Sequence, residues 1–160
     1  MRFATPQRRC TMALFQVRPL RAALLASALL AAGAQAADEG AAEYREAIFE
    51  SIGGHMSAMV GIIKGEVPYQ QDLALHAKGI ADLAPVTMHI FPADSYVEGG
   101  HAKAEIWSDP GTFAERRQNF IEAATALGAV ADSGDQAAFM GAFKTLGGTC
   151  KGCHDDFRAK

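Results

Sequence analysis

The C-terminal segment GTCKGCHDDFRAK, residues 148–160, contains two cysteines three positions apart, Cys150 and Cys153, and His154 directly follows the second. Three kinds of chemistry use such residues. A Cys-x-x-Cys pair can exchange thiols and disulfides, two cysteines can form half of a structural zinc site, and Cys-x-x-Cys-His is the attachment pattern of a c-type haem. The segment alone does not choose among these three.

The rest of the chain argues against the first two readings. A structural zinc ion takes four ligands, but no second cysteine pair follows, and the other histidines are scattered at His55, His76, His89 and His101. A redox dithiol belongs at a helix start after a strand, whereas this pair lies deep inside the last predicted helix. Because Cys150 and Cys153 are one helical turn apart, both can form thioethers to a haem whose iron His154 reaches. The pattern favours one haem c per chain, attached through two thioethers.

The N-terminal residues have the pattern of a secretory signal peptide. Five arginines precede the first acid, Asp38, and the apolar run AALLASALLAAG is followed by AQA, a small-x-small cleavage pattern ending at Ala36. The run is shorter than the about 20 residues that cross a bilayer. We therefore expect residues 1–36 to be removed and residues 37–160 to be a domain exported to the periplasm, with no membrane insertion after cleavage.

Charge and cysteine content narrow the possible partners of that domain. Without the five leader arginines, ten basic and eighteen acidic side chains remain, a formal net charge of −8. Such a surface repels nucleic acid and anionic lipid and favours a basic protein partner, such as a basic redox protein. Cys10 leaves with the leader, so the remaining pair, Cys150 and Cys153, serves local chemistry rather than a disulfide scaffold.

Apolar residues at steps of three and four predict two helices in the first half of the domain. The first covers the segment AAEYREAIFESIGGHMSAMVGIIKG, with Asp38 and Glu39 in its first turn and Gly65 at its end. The second begins near Pro68 and ends at Pro85. The predicted inward residues are Tyr44, Ile48, Ile52, Met56, Met59 and Ile63 in the first helix, and Leu73, Ala77, Ile80 and Leu83 in the second.

Two further helices follow an irregular stretch, residues 86–107, whose length indicates that it wraps something. Asp109 is a predicted N-cap with Pro110 at the first helical position. SGDQ, residues 133–136, is a predicted capping box that opens a last helix running to the C-terminus. The inward residues are Phe113, Phe120, Ala124 and Leu127, then Phe139, Phe143, Leu146 and Cys150. The predicted fold is all-α, an antiparallel four-helix bundle with one longer crossover loop between helices two and three.

The position of Cys-x-x-Cys-His near the C-terminus of a four-helix bundle resembles cytochrome c′ and its class II relatives. The resemblance covers essentially all of residues 37–160, through the segments YREAIFESIGGHM, KGEVPY, EGGHAKAEIWSDP and CKGCHDDFR. It implies that Cys150 and Cys153 bind the haem and that His154 is the proximal axial ligand of its iron.

The same resemblance implies that the function depends on which residue faces the iron on the side opposite His154. Low-spin relatives carry electrons and supply a methionine from helix one there, whereas cytochromes c′ supply no ligand. Phe49 occupies the position of that methionine, and it has no lone pair for iron. The alternative is a six-coordinate electron-transfer cytochrome in which Met56 or Met59 is the ligand, although Met56 lies about 10 Å further along the helix than Phe49.

An apolar wall beside a vacant iron position has a consequence for gas binding. Bound O₂ becomes polar and gains from a hydrogen-bond donor, which Phe49 does not offer, whereas neutral NO and CO need none. We expect a protein that binds NO, and CO weakly, and that buffers nitric oxide or transfers electrons rather than acting as an enzyme.

The resemblance implies roles for further residues. A basic residue at the position of Arg158, one turn after His154, shapes the proximal pocket in relatives, and Arg45 matches an arginine near the haem propionates. The alternative for Arg158 is a solvated charge that interacts favourably with the C-terminal end of the helix dipole. Glu46 and His101 match positions at the haem edge. Trp107 is expected either to close the crossover loop over the haem or to belong to the core. Relatives are commonly homodimers through helix one, where Met59 and Ile62 are candidate interface residues.

Overall fold

The computed structural model describes the backbone of residues 20–160 and the side chains of residues 39–160. Its α-helices are α1 (Leu20–Ile63), α2 (Leu73–Leu83), α3 (Glu105–Ser108), α4 (Pro110–Val130) and α5 (Gln136–Phe157). Short 3₁₀ turns at Gln70–Asp72 and Ala84–Met88 flank α2. Residues 34–160 form one compact unit. The predicted leader, residues 1–36, lies outside the residues whose side chains are described, and its cleavage stays a prediction.

The four long helices, α1, α2, α4 and α5, pack around one apolar core, so the predicted all-α bundle is confirmed. Each long helix contributes fully buried side chains to it, among them Met59, Ile80, Leu127 and Leu146. Within residues 20–160 the only extended pairing is an isolated bridge between Ala102 and Arg158. The described helices include none long and apolar enough to cross a membrane.

Helix boundaries follow local chemistry, with two differences from expectation. Gly65 has a φ of 73°, which ends α1 as predicted, and Asp109 Oδ1 accepts a hydrogen bond from Thr112 N at 3.2 Å, which caps α4 as predicted. The helix α1 begins at Leu20, upstream of the predicted first turn, because the alanine- and leucine-rich stretch before residue 38 has high helix propensity.

The predicted capping box at residues 133–136 is wrong. Asp135 is the N-cap of α5, and its Oδ1 accepts from Ala138 N at 2.9 Å. Ser133 instead closes the preceding turn, because its hydroxyl donates to Val130 O at 2.8 Å and accepts from Asp135 N at 3.1 Å. The helix therefore begins two residues later than a box centred on Ser133 would require.

Three further predictions are corrected, two about side-chain burial and one about the end of a helix. Tyr44 is 52% exposed, and its neighbour Arg45 is the buried residue of that turn. The last helix ends at Phe157, and Arg158 is extended rather than helical. Met59 and Ile62 are 0% and 2% exposed in the single chain, so they belong to the core and are not free to form a dimer interface.

The crossover between α2 and α4 packs over one end of the bundle and forms a second apolar cluster. Ile106, Phe113 and Phe157 are buried there. The C-terminal tail holds this region in place, because Lys103 N donates to Phe157 O at 3.0 Å and Ala159 N donates to His101 O at 2.9 Å. The loop, the tail and the bundle core therefore enclose a space between the two clusters.

Candidate functional site

A cavity of about 580 Å³ lies between the bundle core and the second cluster. Its volume falls in the range of 300–1,000 Å³ that is common for small-molecule and cofactor sites. Eight of the nine side chains singled out from the sequence line it: Arg45, Glu46, Phe49, His101, Cys150, Cys153, His154 and Arg158.

The two cysteines lie on the α5 side of the cavity, partly buried and unpaired. Cys150 packs against the bundle core, and Cys153 packs against the second cluster. Burial raises the pKa of Cys150, and burial followed by the proximity of Cys150 raises the pKa of Cys153 to about 11. Thiols that stay protonated are poor redox nucleophiles, so this environment disfavours the dithiol reading.

His154 lies exposed at the cavity wall next to Arg158. Partial burial and the charge of Arg158 lower the pKa of His154, against a smaller opposing effect of Asp155. The neutral imidazole that results is the form that binds a metal. Arg158 keeps its place through its backbone, since its N–H donates to His154 O at 3.1 Å and its strand-like bridge pairs it with Ala102.

The α1 wall carries both residues that bear on metal coordination. Phe49 and Met56 both line the cavity, although they are two turns apart. The Phe49 ring contacts Phe91 of the crossover, with ring centroids 6.1 Å apart. Met59 is fully buried in the bundle core and is not among the lining residues. Of the two methionines considered from the sequence, only Met56 faces the cavity.

Arg45 binds the crossover loop. Its Nη1 donates to Ile90 O at 3.3 Å and to Ser95 Oγ at 3.1 Å, and its Nη2 donates to Ser95 O at 3.1 Å. The guanidinium also lies 4.9 Å from the centroid of the Phe91 ring. Burial lowers the pKa of Arg45. Most of the hydrogen-bonding capacity of this side chain is therefore used to hold the loop against α1.

Glu46 and His101 meet at the cavity mouth. Glu46 Oε1 and His101 Nδ1 lie 2.7 Å apart, and both side chains remain more than half exposed. The backbone of His101 is held by the tail through the bond from Ala159 N. The pair joins α1 to the end of the crossover at the point where the cavity opens to water.

Trp107 is the one singled-out residue that does not line the cavity. Its Nε1 donates to Pro92 O at 2.8 Å, and its ring packs edge-on against Tyr96 with centroids 5.6 Å apart. The Phe91 ring also lies next to Trp107, with the two ring centroids 6.3 Å apart, and both rings pack against the second cluster. Trp107 therefore closes the crossover loop on itself.

Arg117 is a cavity residue that sequence reasoning missed. Its Nη1 donates to Thr87 O and Met88 O, each at 3.2 Å, and its guanidinium lies over the Phe113 ring. Its Nε is a buried nitrogen without a hydrogen-bond partner in the described part of the chain. A signal was present, because Arg117 lies four residues after Phe113 and three before Phe120, on the apolar face of its helix.

No group of three or more His, Cys, Asp or Glu side chains able to hold a metal occurs among residues 39–160. The described residues thus offer no complete structural zinc site at the Cys-x-x-Cys-His segment. Their arrangement fits a cofactor that brings its own metal and takes two thiols and one imidazole from α5.

Comparison with known proteins agrees with this arrangement. A family model described as Cytochrome C′ matches residues 40–158. The chain is similar to the cytochrome c′ of Pararhodospirillum photometricum, with 37% identity over 124 residues, covering 77% of this chain and 99% of that protein.

Solved structures show the same likeness. The fold is similar to that of cytochrome c prime from Shewanella frigidimarina, with a TM-score of 0.73, 32% identity and coverage of 77% of this chain and 97% of that one. It is also similar to the nitric oxide complex of a mutant cytochrome c prime from Alcaligenes xylosoxidans, with a TM-score of 0.69, 32% identity and coverage of 77% and 97%.

Proposed function

Because this chain belongs to the cytochrome c′ family, we propose that it is an exported cytochrome with a single haem c whose iron has one protein ligand. In this proposal it binds the neutral gases NO and CO and buffers nitric oxide. The observation that carries the proposal is that Cys150, Cys153, His154 and Phe49 line one cavity. A structure similar to this one is a nitric oxide complex, which supports the choice of ligand.

The described residues fit a covalently held haem. Cys150 and Cys153 would form the two thioethers, and His154 would be the protein ligand of the iron, for which its lowered pKa suits it. Haem, when bound, supplies an iron centre that can take up a gas or exchange an electron. Arg117 also lines the cavity, and its guanidinium would place a positive charge near the anionic groups of the cofactor.

Phe49 would decide which gases are held. Its ring offers neither a lone pair to a metal nor a hydrogen-bond donor to a bound ligand. O₂ depends on such a donor more than NO and CO do. The contact of Phe49 with Phe91 keeps the ring at the cavity wall, so that the side chain also limits the space available to an incoming ligand.

The spin state of the purified protein tests this proposal. We expect the electron paramagnetic resonance spectrum of the ferric protein to be high-spin. The visible spectrum of the ferrous protein should change under NO and CO and should show no stable O₂ complex. A six-coordinate low-spin spectrum without added ligand would refute the vacant position.

The alternative is a six-coordinate electron-transfer cytochrome, and the position of Met56 on the cavity wall favours it. In this alternative the Met56 thioether takes the role of the methionine ligand that low-spin relatives carry at the position of Phe49. If Met56 is the ligand, Met56→Leu converts a low-spin spectrum to high-spin. Met59→Leu is the matched control, because Met59 lies in the bundle core and not at the cavity.

Further properties belong to the same proposal. We propose that the leader is cleaved after Ala36, that the domain acts in the periplasm, and that it binds nitric oxide without turnover. Intact mass of the exported protein tests the cleavage and the covalent haem together. Stoichiometric uptake of nitric oxide, rather than continued consumption, tests the absence of turnover.

Partner binding can be tested in the same preparation. We propose a homodimer and a basic redox protein as partners, the second from the net charge of −8 on residues 37–160. Light scattering of the purified protein tests the first. Because Met59 and Ile62 are buried in the single chain, the interface would have to use other residues. A salt-sensitive association with a basic redox protein tests the second.

A further inference from the structure

His55 on α1 and His76 on α2 lie side by side outside the cavity. Their Nδ1 atoms are 3.0 Å apart, their ring centroids are 5.3 Å apart and the ring planes are inclined by 56°. Both side chains are half-buried, and neither lines the cavity. Their separation of 21 positions in the sequence hides this pairing from any motif search.

The backbone of α2 is shaped to receive one of the two rings. A Cβ atom at Gly79 would lie 2.6 Å from His55 Nε2 and 2.8 Å from His55 Cε1, distances that no side chain tolerates. Gly79 therefore provides the space in which the His55 ring lies, with its Nδ1 directed at His76. The His55 ring can lie at this position only because residue 79 has no side chain.

We propose that His55 and His76 together bind one divalent transition-metal ion through their Nδ1 atoms. Two imidazole nitrogens at about 2.0–2.1 Å from a metal are about 3 Å apart when they subtend an angle of about 90–110°. The observed 3.0 Å separation matches that requirement. Imidazole suits Cu²⁺, Ni²⁺ and Zn²⁺, and the general order of affinities places Cu²⁺ first.

The site is a two-residue chelate on the protein surface. No third His, Cys, Asp or Glu completes it among residues 39–160, so water fills the other coordination positions. In the metal-free pair one Nδ1–H donates to the other ring. When the metal binds, that ring carries its proton on Nε2 instead, so both Nδ1 lone pairs point at the ion and no redox step is involved. The ion then joins α1 to α2.

Metal titration of the exported haem protein tests this proposal without any activity measurement. Zn²⁺ and Cu²⁺ are added separately, with heat of binding measured for Zn²⁺ and the Cu²⁺ electron paramagnetic resonance spectrum recorded for nitrogen coupling. We expect one ion per chain and a metal-dependent rise in the unfolding temperature, because the ion binds only the folded pair. Neither readout depends on the gas-binding function.

Variants identify the ligands. His55→Gln and His76→Gln should each weaken binding by at least about tenfold, since even the loss of an outer-shell partner costs 10–100-fold, and should abolish the thermal shift. His89→Gln is the matched control, because His89 is an exposed histidine that is not part of the pair. Gly79→Ala should weaken binding as well, because its Cβ displaces the His55 ring. An unchanged haem spectrum verifies that each variant is folded.

Three results would overturn the proposal. The first is unchanged metal affinity in the His55→Gln, His76→Gln double variant. The second is an equal loss in His89→Gln, which would indicate nonspecific surface binding. The third is one ion per two chains, which would place the metal between subunits rather than within the pair.

Discussion

Arg45 and Ser95, fifty positions apart in the sequence, are joined by two hydrogen bonds of 3.1 Å, one to the hydroxyl and one to the carbonyl oxygen of Ser95. Ser95 is fully buried and Arg45 is 6% exposed. These bonds fasten the crossover loop to α1 beside the cavity. The resemblance to relatives suggested that Arg45 serves the haem propionates, but its guanidinium is mostly engaged in holding the loop, and the unpartnered donor is Arg117 Nε.

Replacing Arg45 tests its structural role. Arg45→Met keeps the apolar stem but leaves the buried groups of Ser95 and Ile90 without their donor, so we expect the free energy of unfolding to fall by about 3 kcal/mol. Urea denaturation of the haem protein measures this. Arg116→Met is the control, because Arg116 is 41% exposed and pairs with Asp156 at the surface, where such a pair contributes less than about 1 kcal/mol. Equal losses in the two variants would contradict the assignment.

Phe49 is predicted to keep one iron position free of protein ligands. Phe49→Met introduces a thioether at a position that lines the cavity, so we expect a shift from high-spin to low-spin and a lower affinity for CO. Visible and electron paramagnetic resonance spectra measure both. Phe49→Leu, which is apolar and has no lone pair, should remain high-spin. A high-spin Phe49→Met protein would mean that position 49 does not face the iron.

Arg117 is predicted to act electrostatically on the haem. Its positive charge at the cavity wall stabilises the reduced state, so Arg117→Gln should lower the reduction potential by several tens of millivolts, the size of a unit-charge interaction over about 10 Å at an effective dielectric constant of about 20. Redox titration measures the change. Lys78→Gln is the control and should change the potential less, since Lys78 is an exposed cation that does not line the cavity and water screens its charge. Equal shifts would exclude a special role of Arg117.

Trp107 is predicted to matter for the loop and not for the haem. Trp107→Phe removes the indole donor of Pro92 O and should lower the free energy of unfolding by about 1 kcal/mol, while the haem spectrum stays the same. Thermal unfolding and the visible spectrum together measure this. A changed spectrum with unchanged stability would instead favour the expectation that Trp107 closes the loop over the haem.

Local signals explain what could be predicted. The spacing of Cys150 and Cys153 means one helical turn wherever a helix forms, so the two thiols reach the same cavity. Asp109 with Pro110 caps a helix through atoms only a few residues away. Tyr44 was predicted from periodicity to point inward, but the buried residue of this turn of α1 is its charged neighbour Arg45. Arg45 can be buried because Ser95 and Ile90 accept its hydrogen bonds.

The sequence by itself determined the helices and placed Cys150, Cys153 and His154 together on the last helix, because each depends on interactions within a turn or two of helix. Only the tertiary structure decided that Arg45 holds the loop, that Arg117 lines the cavity, and that His55 meets His76. These contacts join elements 21 to 50 positions apart. Periodicity shows which face of a helix turns inward, but the packing angle and register of the helices select the residue opposite.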